Sequence, residues 1–325
     1  MSISYRPPRQ SELADCALVW YSAVDDYMAR LNRPLPSPYL DPLLTLLKHL
    51  LTTDPERFLV AVRGAEAGRD RDQVVGFGIA AQREHVWFLS QLYVLPHEQR
   101  GGIGRALLTQ ILPSVPKPGA DPADATSSAD RRPGVLAMCT DSAQPVSNAL
   151  YARYGIVPRM PVFNLVGTPN PSTLARLPAG IGAVPFGGLD SSGAAESATI
   201  DSIDRAVLGY AHGADHAYLR ATGRTGFIYR SDDGSAVGYG YSSEAGRFGP
   251  VALLDATLTA PVLGHLMNAI RPRGATTVWV PGANDRAMVA LLRAGLRMEG
   301  FPALVCWTRP FADFERYLPA SLALL

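Results

Sequence analysis

Leu92-Tyr93-Val94-Leu95-Pro96-His97-Glu98-Gln99-Arg100-Gly101-Gly102-Ile103-Gly104-Arg105-Ala106-Leu107-Leu108 is the stretch around which the rest of this chain is arranged. Its apolar start reads as a buried strand, its middle as a short turn containing Gln-x-x-Gly-x-Gly, and its end as a helix whose first turn has almost no side-chain bulk. Glycines let a ligand come close to the backbone, and the first N–H groups of a helix have no intrahelical acceptor. The natural guest is an anion, and a phosphate or pyrophosphate above all. A P-loop would need Gly-Lys-Ser/Thr at the helix start, whereas Gly104 is followed by Arg105-Ala106. A dinucleotide-binding turn would spell Gly-x-Gly-x-x-Gly early in a βαβ unit, with an acidic residue about 20 residues later, and neither condition is met.

The stretch resembles the acyl-CoA loop of the GNAT superfamily of N-acetyltransferases, in which a strand ending Leu-x-Val-x-Pro runs into Gln/Arg-x-x-Gly-x-Gly/Ala. The rest of the chain can be tested against that resemblance. At 325 residues it exceeds one typical domain, and at 47% hydrophobic and 18% charged it has an ordinary globular composition. A formal net charge of +1 gives no electrostatic case for nucleic acid or an anionic membrane. The N-terminus has no apolar signal core, and no uninterrupted apolar run approaches the roughly 20 residues of a membrane span. Three scattered cysteines, Cys16, Cys139 and Cys306, suit reduced thiols in a cytoplasm better than a disulfide framework.

Along the chain, Ile3 to Arg6 is a short strand, and Ser11 is expected to cap a helix carrying Leu13, Ala17, Leu18, Tyr21, Val24 and Met28 at helical spacing. A leucine-rich helix follows Pro42. Arg57 to Val62 and Val74 to Ala81 form a hairpin around the polar turn Gly64 to Gln73, and His85 to Val94 is the next strand. The glycine turn leads into a helix that Pro113 stops. Ser114 to Pro133 has no hydrophobic period and is expected to be a mobile surface insertion. Gly134 to Cys139 is a buried strand, a helix then runs to Tyr154 with Gly155 as its cap, and Met160 to Val166 closes the set. This order of elements is that of the GNAT fold.

After a linker at Thr168-Pro169-Asn170-Pro171 and a helix-like Ser172 to Leu177, the order begins again. Helices are expected around Asp201 to Tyr210 and Ala211 to Ala221, a hairpin at Gly226 to Tyr241, and further strands and helices to Trp307. An offset of 140 places Tyr154-Gly155-Ile156 on Ala294-Gly295-Leu296 and Cys139-Thr140 on Trp279-Val280 without a gap. The expected fold class is therefore α/β, an α+β mixed sheet, in two GNAT-like domains. Each is a twisted mixed sheet flanked by helices, with splayed parallel fourth and fifth strands. The divisions are 1–167 for the acetyl-CoA-binding, catalytic domain, 168–180 for the linker and 181–325 for a degenerate domain. The second half has no Gln-x-x-Gly-x-Gly between Gly249 and Leu266, and Pro261 removes a backbone donor there.

The resemblance also assigns roles. The N–H groups of Arg100, Gly101, Gly102, Ile103, Gly104 and Arg105, at the turn begun by Gln99, hold the pyrophosphate of acetyl-CoA. The backbone of Leu92, Tyr93 and Val94 pairs with the pantetheine arm and offers an amide to the oxyanion. Tyr151 matches the family's tyrosine in Asn-x-x-Ala-x-x-Leu-Tyr-x-x-x-Gly-Phe, with Gln144 standing for the Asn, and serves as the acid that protonates the departing thiolate. In the second half Leu291 takes the tyrosine's place. Many relatives carry a carboxylate just before Leu-x-Val, where this chain has Ser90-Gln91; Glu84, His85, Asp25, Asp26, the terminal carboxylate of Leu325 or a water chain are the alternatives for the base.

No metal site is expected, since His212-x-x-x-His216 lacks the zincin Glu and a visible third ligand. Cys139 is expected to be a buried, inert thiol. The function implied is N-acetyl transfer from acetyl-CoA to a primary amine of a small molecule or peptide, in a cytoplasmic protein without nucleic-acid or membrane partners, with a homodimer left open. Mycothiol-synthase-like tandem proteins are a rival within enzymes, although there the second domain is the catalytic one. A non-catalytic acyl-CoA-binding or sensor protein is the rival from another class.

Overall fold

The computed structural model describes residues 3–33, 35–65, 72–113, 134–187 and 193–325. The insertion expected at Ser114 to Pro133 and most of the turn between Gly64 and Gln73 lie outside the described residues. The chain divides into two compact units, Met1–Gly134 and Val135–Leu325.

The first unit contains β1 (Ile3–Arg6), α1 (Leu13–Arg30), α2 (Asp41–Thr53), β2 (Phe58–Arg63), β3 (Gln73–Arg83), β4 (Val86–Val94) and α3 (Ile103–Ile111). Its four strands pair antiparallel in chain order. Ser11 does not cap α1 but lies in a single 3-10 turn, Gln10–Glu12, that leads into it; Glu12 secures that turn, its carboxylate accepting the Arg9 N–H at 2.7 Å and both arms of the Arg6 guanidinium, at 2.6 and 2.8 Å. The fork from Arg6 holds the Glu12 carboxyl down at about 2. The buried face of α1 is Leu13, Cys16, Ala17, Val19, Ala23 and Tyr27, whereas Leu18 points half into solvent. On α2 only Leu46, Leu47 and Leu50 of the leucine-rich face are fully buried.

α3 lies against β3 because two glycines there leave it room. A Cβ on Gly76 would come within 3.4 Å of the Ile103 side chain, and one on Gly78 within 3.1 Å of Ile111. β4 carries a bulge that matters for the site. Gln91 pairs with Ile79 and Leu89 with Ala80, so Ser90 is the extra residue. Trp87 donates its indole N–H to the Ile111 carbonyl of α3 at 3.2 Å, and Leu92 packs on the same face, over Gly78. Five residues apart, these two would face opposite sides of a regular strand. The bulge restores the parity.

The second unit runs β5 (Val135–Asp141), α4 (Pro145–Ala152), β6 (Val157–Gly167), β7 (Ile181–Pro185), α5 (Gly193–Val207), α6 (Gly213–Ala221), β8 (Thr225–Ser231), β9 (Ala236–Ser242), β10 (Val251–Leu253), α7 (Thr259–Ala269), β11 (Thr276–Pro281), α8 (Asp285–Arg293), β12 (Arg297–Trp307) and β13 (Tyr317–Leu318). Its strands form two antiparallel arrays, β5-β12-β6-β11 and β13-β10-β9-β8-β7. The sequence did not signal β7 or β13, which are short and lean on β8 and β10 for their pairing. Ser172 to Leu177 is no helix. A single turn, Pro171–Thr173, is capped by the Asn170 side chain, and Leu174 and Leu177 pack onto the core containing Val262, Leu266 and Leu291. Among the described residues no helix is long and apolar enough to cross a membrane.

The 140-residue offset is visible element by element. α4 begins at Pro145 and α8 at Asp285, β6 spans Val157–Gly167 and β12 spans Arg297–Trp307. Gly155 and Gly295 both turn with positive φ, 76° and 95°, where a Cβ would be strained. The strand at Met160 to Val166 exists, but it does not close on β5. β12 inserts between them, with Val305 opposite Cys139 on one side and Met160 on the other. Under the offset β5 maps to β11 and β6 to β12, so the order β5-β12-β6-β11 is its own reverse. Each repeat has lent its last strand to the other.

This exchange has a direct consequence. Each unmet buried backbone group costs about 1–3 kcal/mol, so stripping β12 from both neighbours would exceed a typical domain stability of about 5–15 kcal/mol. Residues 1–167 expressed alone are therefore expected to be insoluble or unfolded, and co-expression with 168–325 is expected to restore a single complex. Circular dichroism and size-exclusion chromatography of the separate and joint products check this; an independently folded, monomeric 1–167 would contradict it.

Candidate active site

In the first unit the turn between β4 and α3 is held from both ends. The Leu95 N–H bonds to the Val75 carbonyl at 2.9 Å, and the Gln99 amide reaches back to the Val94 carbonyl at 3.1 Å. Glu98, within the turn, is clamped by Arg63 at the end of β2, with Nε to Oε1 at 2.9 Å. That ion pair joins residues 35 apart in the chain, which is why the sequence offered no signal for it. It shapes the turn without touching the anion-binding backbone.

Beyond these anchors, the first helical bond of α3 runs from Ala106 N–H to Gly102 at 2.9 Å, and the backbone N–H groups of Arg100 to Arg105 have no partner among the described residues. Arg100 and Gly102 adopt φ of +70° and +84°, a left-handed kink that turns successive amides to one side as an anion nest. The helix start adds its dipole. Gly102 is needed for its φ. Gly101 and Gly104 are not, since a Cβ on either would meet nothing nearer than 3.5 and 3.7 Å in the folded chain. Their bareness serves an approaching molecule, and a pyrophosphate fits the donor set.

Upstream, Tyr93 places its ring on the α1 side of the sheet, 6.4 Å from Trp20 and 5.9 Å from Phe77, while Leu92 and Val94 face α3. The side chains of Leu92, Tyr93 and Val94 take part in this packing, Val94 buried and the other two partly. Ser90 Oγ and Gln91 Oε1, at the bulge, are buried without a hydrogen-bond partner among the described residues.

Tyr151 lies in the second unit, on α4, and is 5% exposed. Gln144 sits at the N-cap of α4, but its side chain caps nothing. Instead Asn148 Nδ2 bonds to the carbonyls of Gln144 and Asp141, at 2.9 and 3.2 Å. Its counterpart Asn284 does cap α8, accepting from the Ala287 N–H at 2.9 Å. One additional methylene in Gln144 releases its amide from that duty. Leu291, the counterpart of Tyr151, is a fully buried core residue.

In the second half the strand at the corresponding place, β10, is paired on both sides. β10 is only three residues long, and its two edges are occupied by β9 and β13, with Ala252 opposite Tyr239 and Tyr317. The turn that follows is capped internally, Asp255 accepting the Thr257 N–H at 2.8 Å. The Leu258 N–H is satisfied within the same turn, by the Asp255 carbonyl at 3.2 Å.

The alternatives for the base separate by position. Glu84 and His85 form the exposed tip of the β3–β4 hairpin. With the strand rising about 3.3 Å per residue, they lie roughly 20 Å or more from Leu92. Asp25 is used locally, accepting the Leu35 N–H at 3.1 Å, and Asp26 pairs with Arg30 at 2.9 Å on the surface. Leu325 is buried in the second unit with its oxygen bonded to Tyr210 OH at 2.8 Å. Desolvation raises the thiol pKa of Cys139, with Cys306 a second cause.

Comparison with known proteins agrees with this geometry. Residues 24–155 match the family model described as "Acetyltransferase (GNAT) family". That segment is similar to the GNAT acetyltransferase family. Solved structures show the same fold over nearly the whole chain. A candidate acetyltransferase of Pyrococcus horikoshii aligns at a TM-score of 0.69 with 14% identity, covering 99% of this chain and 96% of that one. A GCN5-related N-acetyltransferase of Sphaerobacter thermophilus aligns at 0.58 with 16% identity, covering 96% and 98%. A tandem GNAT protein from the clavulanic acid biosynthesis pathway aligns at 0.52 with 15% identity, covering 95% and 99%. No curated protein matches by sequence. The family match over residues 24–155 supports acyl-CoA-dependent acyl transfer at the general level, and the solved structures share the fold.

Two outcomes follow from the site. Gly104→Ala is expected to leave Tm unchanged or raised, because the methyl has room and alanine favours the helix by up to about 1 kcal/mol. The same change is expected to weaken CoA binding about tenfold or more by calorimetry, since the methyl intrudes on the donor nest; unaltered CoA affinity would contradict the cradle. Cys139 is expected to react with Ellman's reagent at neutral pH far more slowly in the folded protein than after denaturation, because its raised pKa leaves little thiolate.

Proposed function

We propose that the chain is an N-acetyltransferase that passes the acetyl group of acetyl-CoA to a primary amine of a small molecule or peptide by direct attack in a ternary complex. The observation that carries this reading is the run of amides from Arg100 to Arg105, which have no acceptor among the described residues and stand at the start of α3 in a segment similar to the GNAT family. In this reading the N–H groups of Arg100, Gly101, Gly102, Ile103, Gly104 and Arg105 hold the pyrophosphate, and Gln99 fixes the turn from behind. The backbone of Leu92, Tyr93 and Val94, re-aimed by the bulge at Ser90, pairs with the pantetheine arm. Gln144 supplies an amide to the donor.

The amine nitrogen attacks the thioester carbonyl, and the carbon–sulfur bond breaks as the amide forms. A β4 amide stabilises the negative charge on the carbonyl oxygen, and the Tyr151 hydroxyl delivers a proton to the departing sulfur. A phenol ordinarily titrates near 10 and a thiol near 8.5, so the tyrosine still holds its proton when the thiolate appears. Ser90-Gln91 brings no carboxylate to take the ammonium proton. The acceptor is accordingly an amine with an appreciable neutral fraction at working pH, losing its proton to water.

Functionally the chain divides as 1–167, the half that binds acetyl-CoA and carries Tyr151; 168–180, a linker; and 181–325, a degenerate half. β13 on the edge of β10 supports that division of labour. The degenerate half contributes β12 to the array containing β5, the strand that leads to α4.

Free-thiol detection across a panel of small and peptide amines with acetyl-CoA tests the reading. Turnover is expected on at least one class, and Tyr151→Phe is expected to lower kcat about 100-fold with CoA affinity kept. Full activity in that variant would remove Tyr151 from the mechanism. Tight CoA binding with no turnover on any amine would favour the acyl-CoA sensor, the reading that Ser90-Gln91 leaves open.

A further inference from the structure

The polar groups buried between α5, α6 and β9 take no part in acyl transfer, and they have the arrangement of a metal centre. Asp204 is on α5, His212 precedes α6 and His216 lies in its first turn; the three are 0%, 2% and 2% exposed. We propose that Asp204, His212 and His216 bind one zinc-class divalent ion through Oδ2 and the two Nε2 atoms.

Three features support the assignment. First, the spacing fits. His216 Nε2 lies 3.0 Å and His212 Nε2 3.4 Å from Asp204 Oδ2, and one ligand atom from each residue falls within 4.8 Å of the others. Zinc bonds of about 2.0–2.1 Å in a tetrahedron require ligand atoms about 3.3 Å apart, so small side-chain adjustments suffice. Second, the far atom of each ligand faces a group that could orient it. Tyr239 OH donates to Asp204 Oδ1 at 2.6 Å, His216 Nδ1 is 2.9 Å from Tyr241 OH, and His212 Nδ1 is 3.8 Å from the Asp215 carboxylate. Metal-binding imidazoles and carboxylates are ordinarily oriented by such partners. Third, two imidazole nitrogens and one carboxylate oxygen are a donor set for zinc and its transition-metal neighbours and not for magnesium or calcium. A cation there would also compensate a carboxylate that burial otherwise penalises.

The i, i+4 histidine pair was visible in the sequence, but its third ligand was not, because Asp204 comes from a different helix. Gly213 stands where a zincin has its catalytic Glu, and the site is closed to substrate. The ion's role is therefore structural, tying α5 to α6. It requires nothing of the acyl-transfer reading, and its test is separate from activity.

The experiment uses the full chain, stripped with a chelator, reloaded with zinc or cobalt(II), and desalted. Expected are about one zinc per chain by plasma mass spectrometry, visible absorption bands of tetrahedral cobalt(II), and a Tm several degrees higher in the loaded protein. Asp204→Asn and His212→Gln are each expected to reduce uptake to below about a tenth of an equivalent, while His85→Gln, at an exposed hairpin tip, keeps it. Failure of the stripped, folded chain to take up either metal would overturn the site, leaving a metal-free Asp–His–Tyr hydrogen-bond network. Unchanged uptake by folded Asp204→Asn and His212→Gln would overturn it equally. Should those variants not fold, the wild-type cobalt spectrum decides: tetrahedral bands support the site, and octahedral or absent bands refute it.

Discussion

The pairing of β12 with both β5 and β6 is the constraint on which the second unit depends. Three long strands, each with half of its backbone groups unsatisfied without its neighbours, share two ladders, and the middle strand comes from the far end of the chain. Hydrogen bonds in a ladder cannot be left open in a buried sheet without a cost comparable to the stability of a domain. The two repeats are therefore held together by backbone as well as by side-chain packing. The order β5-β12-β6-β11 is also symmetric under the repeat, so one pairing scheme serves both copies.

Within the first unit the anion cradle depends on elements whose purpose is geometric. Gly76 and Gly78 let α3 lie close to β3, the bulge at Ser90 keeps Trp87 and Leu92 on the α3 face, and Arg63 with Glu98 fixes the turn. With those in place, the amides at the helix start form a donor set of the kind that holds a phosphate. Gly101 and Gly104 have space around them that the protein's own packing does not use. That distinguishes a cradle from a tight turn.

The second half keeps the scaffold and differs at the positions that correspond to the proposed site. Leu291 replaces Tyr151 with packing, Asn284 returns to ordinary capping, and β13 closes the edge of β10. It also holds a buried polar cluster in which Asp204 and His216 bond to Tyr239 and Tyr241 of the five-stranded array. A duplicated fold can keep its core while its chemistry moves, because the core is set by apolar periodicity and the site by a handful of positions.

Local features were legible in the sequence. The glycine turn, the order of elements in the first unit and the 140-residue offset follow from short-range patterns: apolar periodicity, glycine at helix ends, a motif contained in one turn. Propensity makes Ser11 a helix cap, whereas the turn leading into α1 is secured by Glu12 through Arg6 and Arg9, a relation that propensity does not see. Other features were settled only by tertiary structure. That β6 pairs with β12 and not with β5, that Ser90 is the extra residue of a bulge, that Arg63 reaches Glu98, and that Asp204 meets His212 and His216 are all relations between distant residues. Periodicity records which side of an element is apolar and says nothing of which element will lie against it; strand partners and convergent side chains are chosen by the packing of the whole unit.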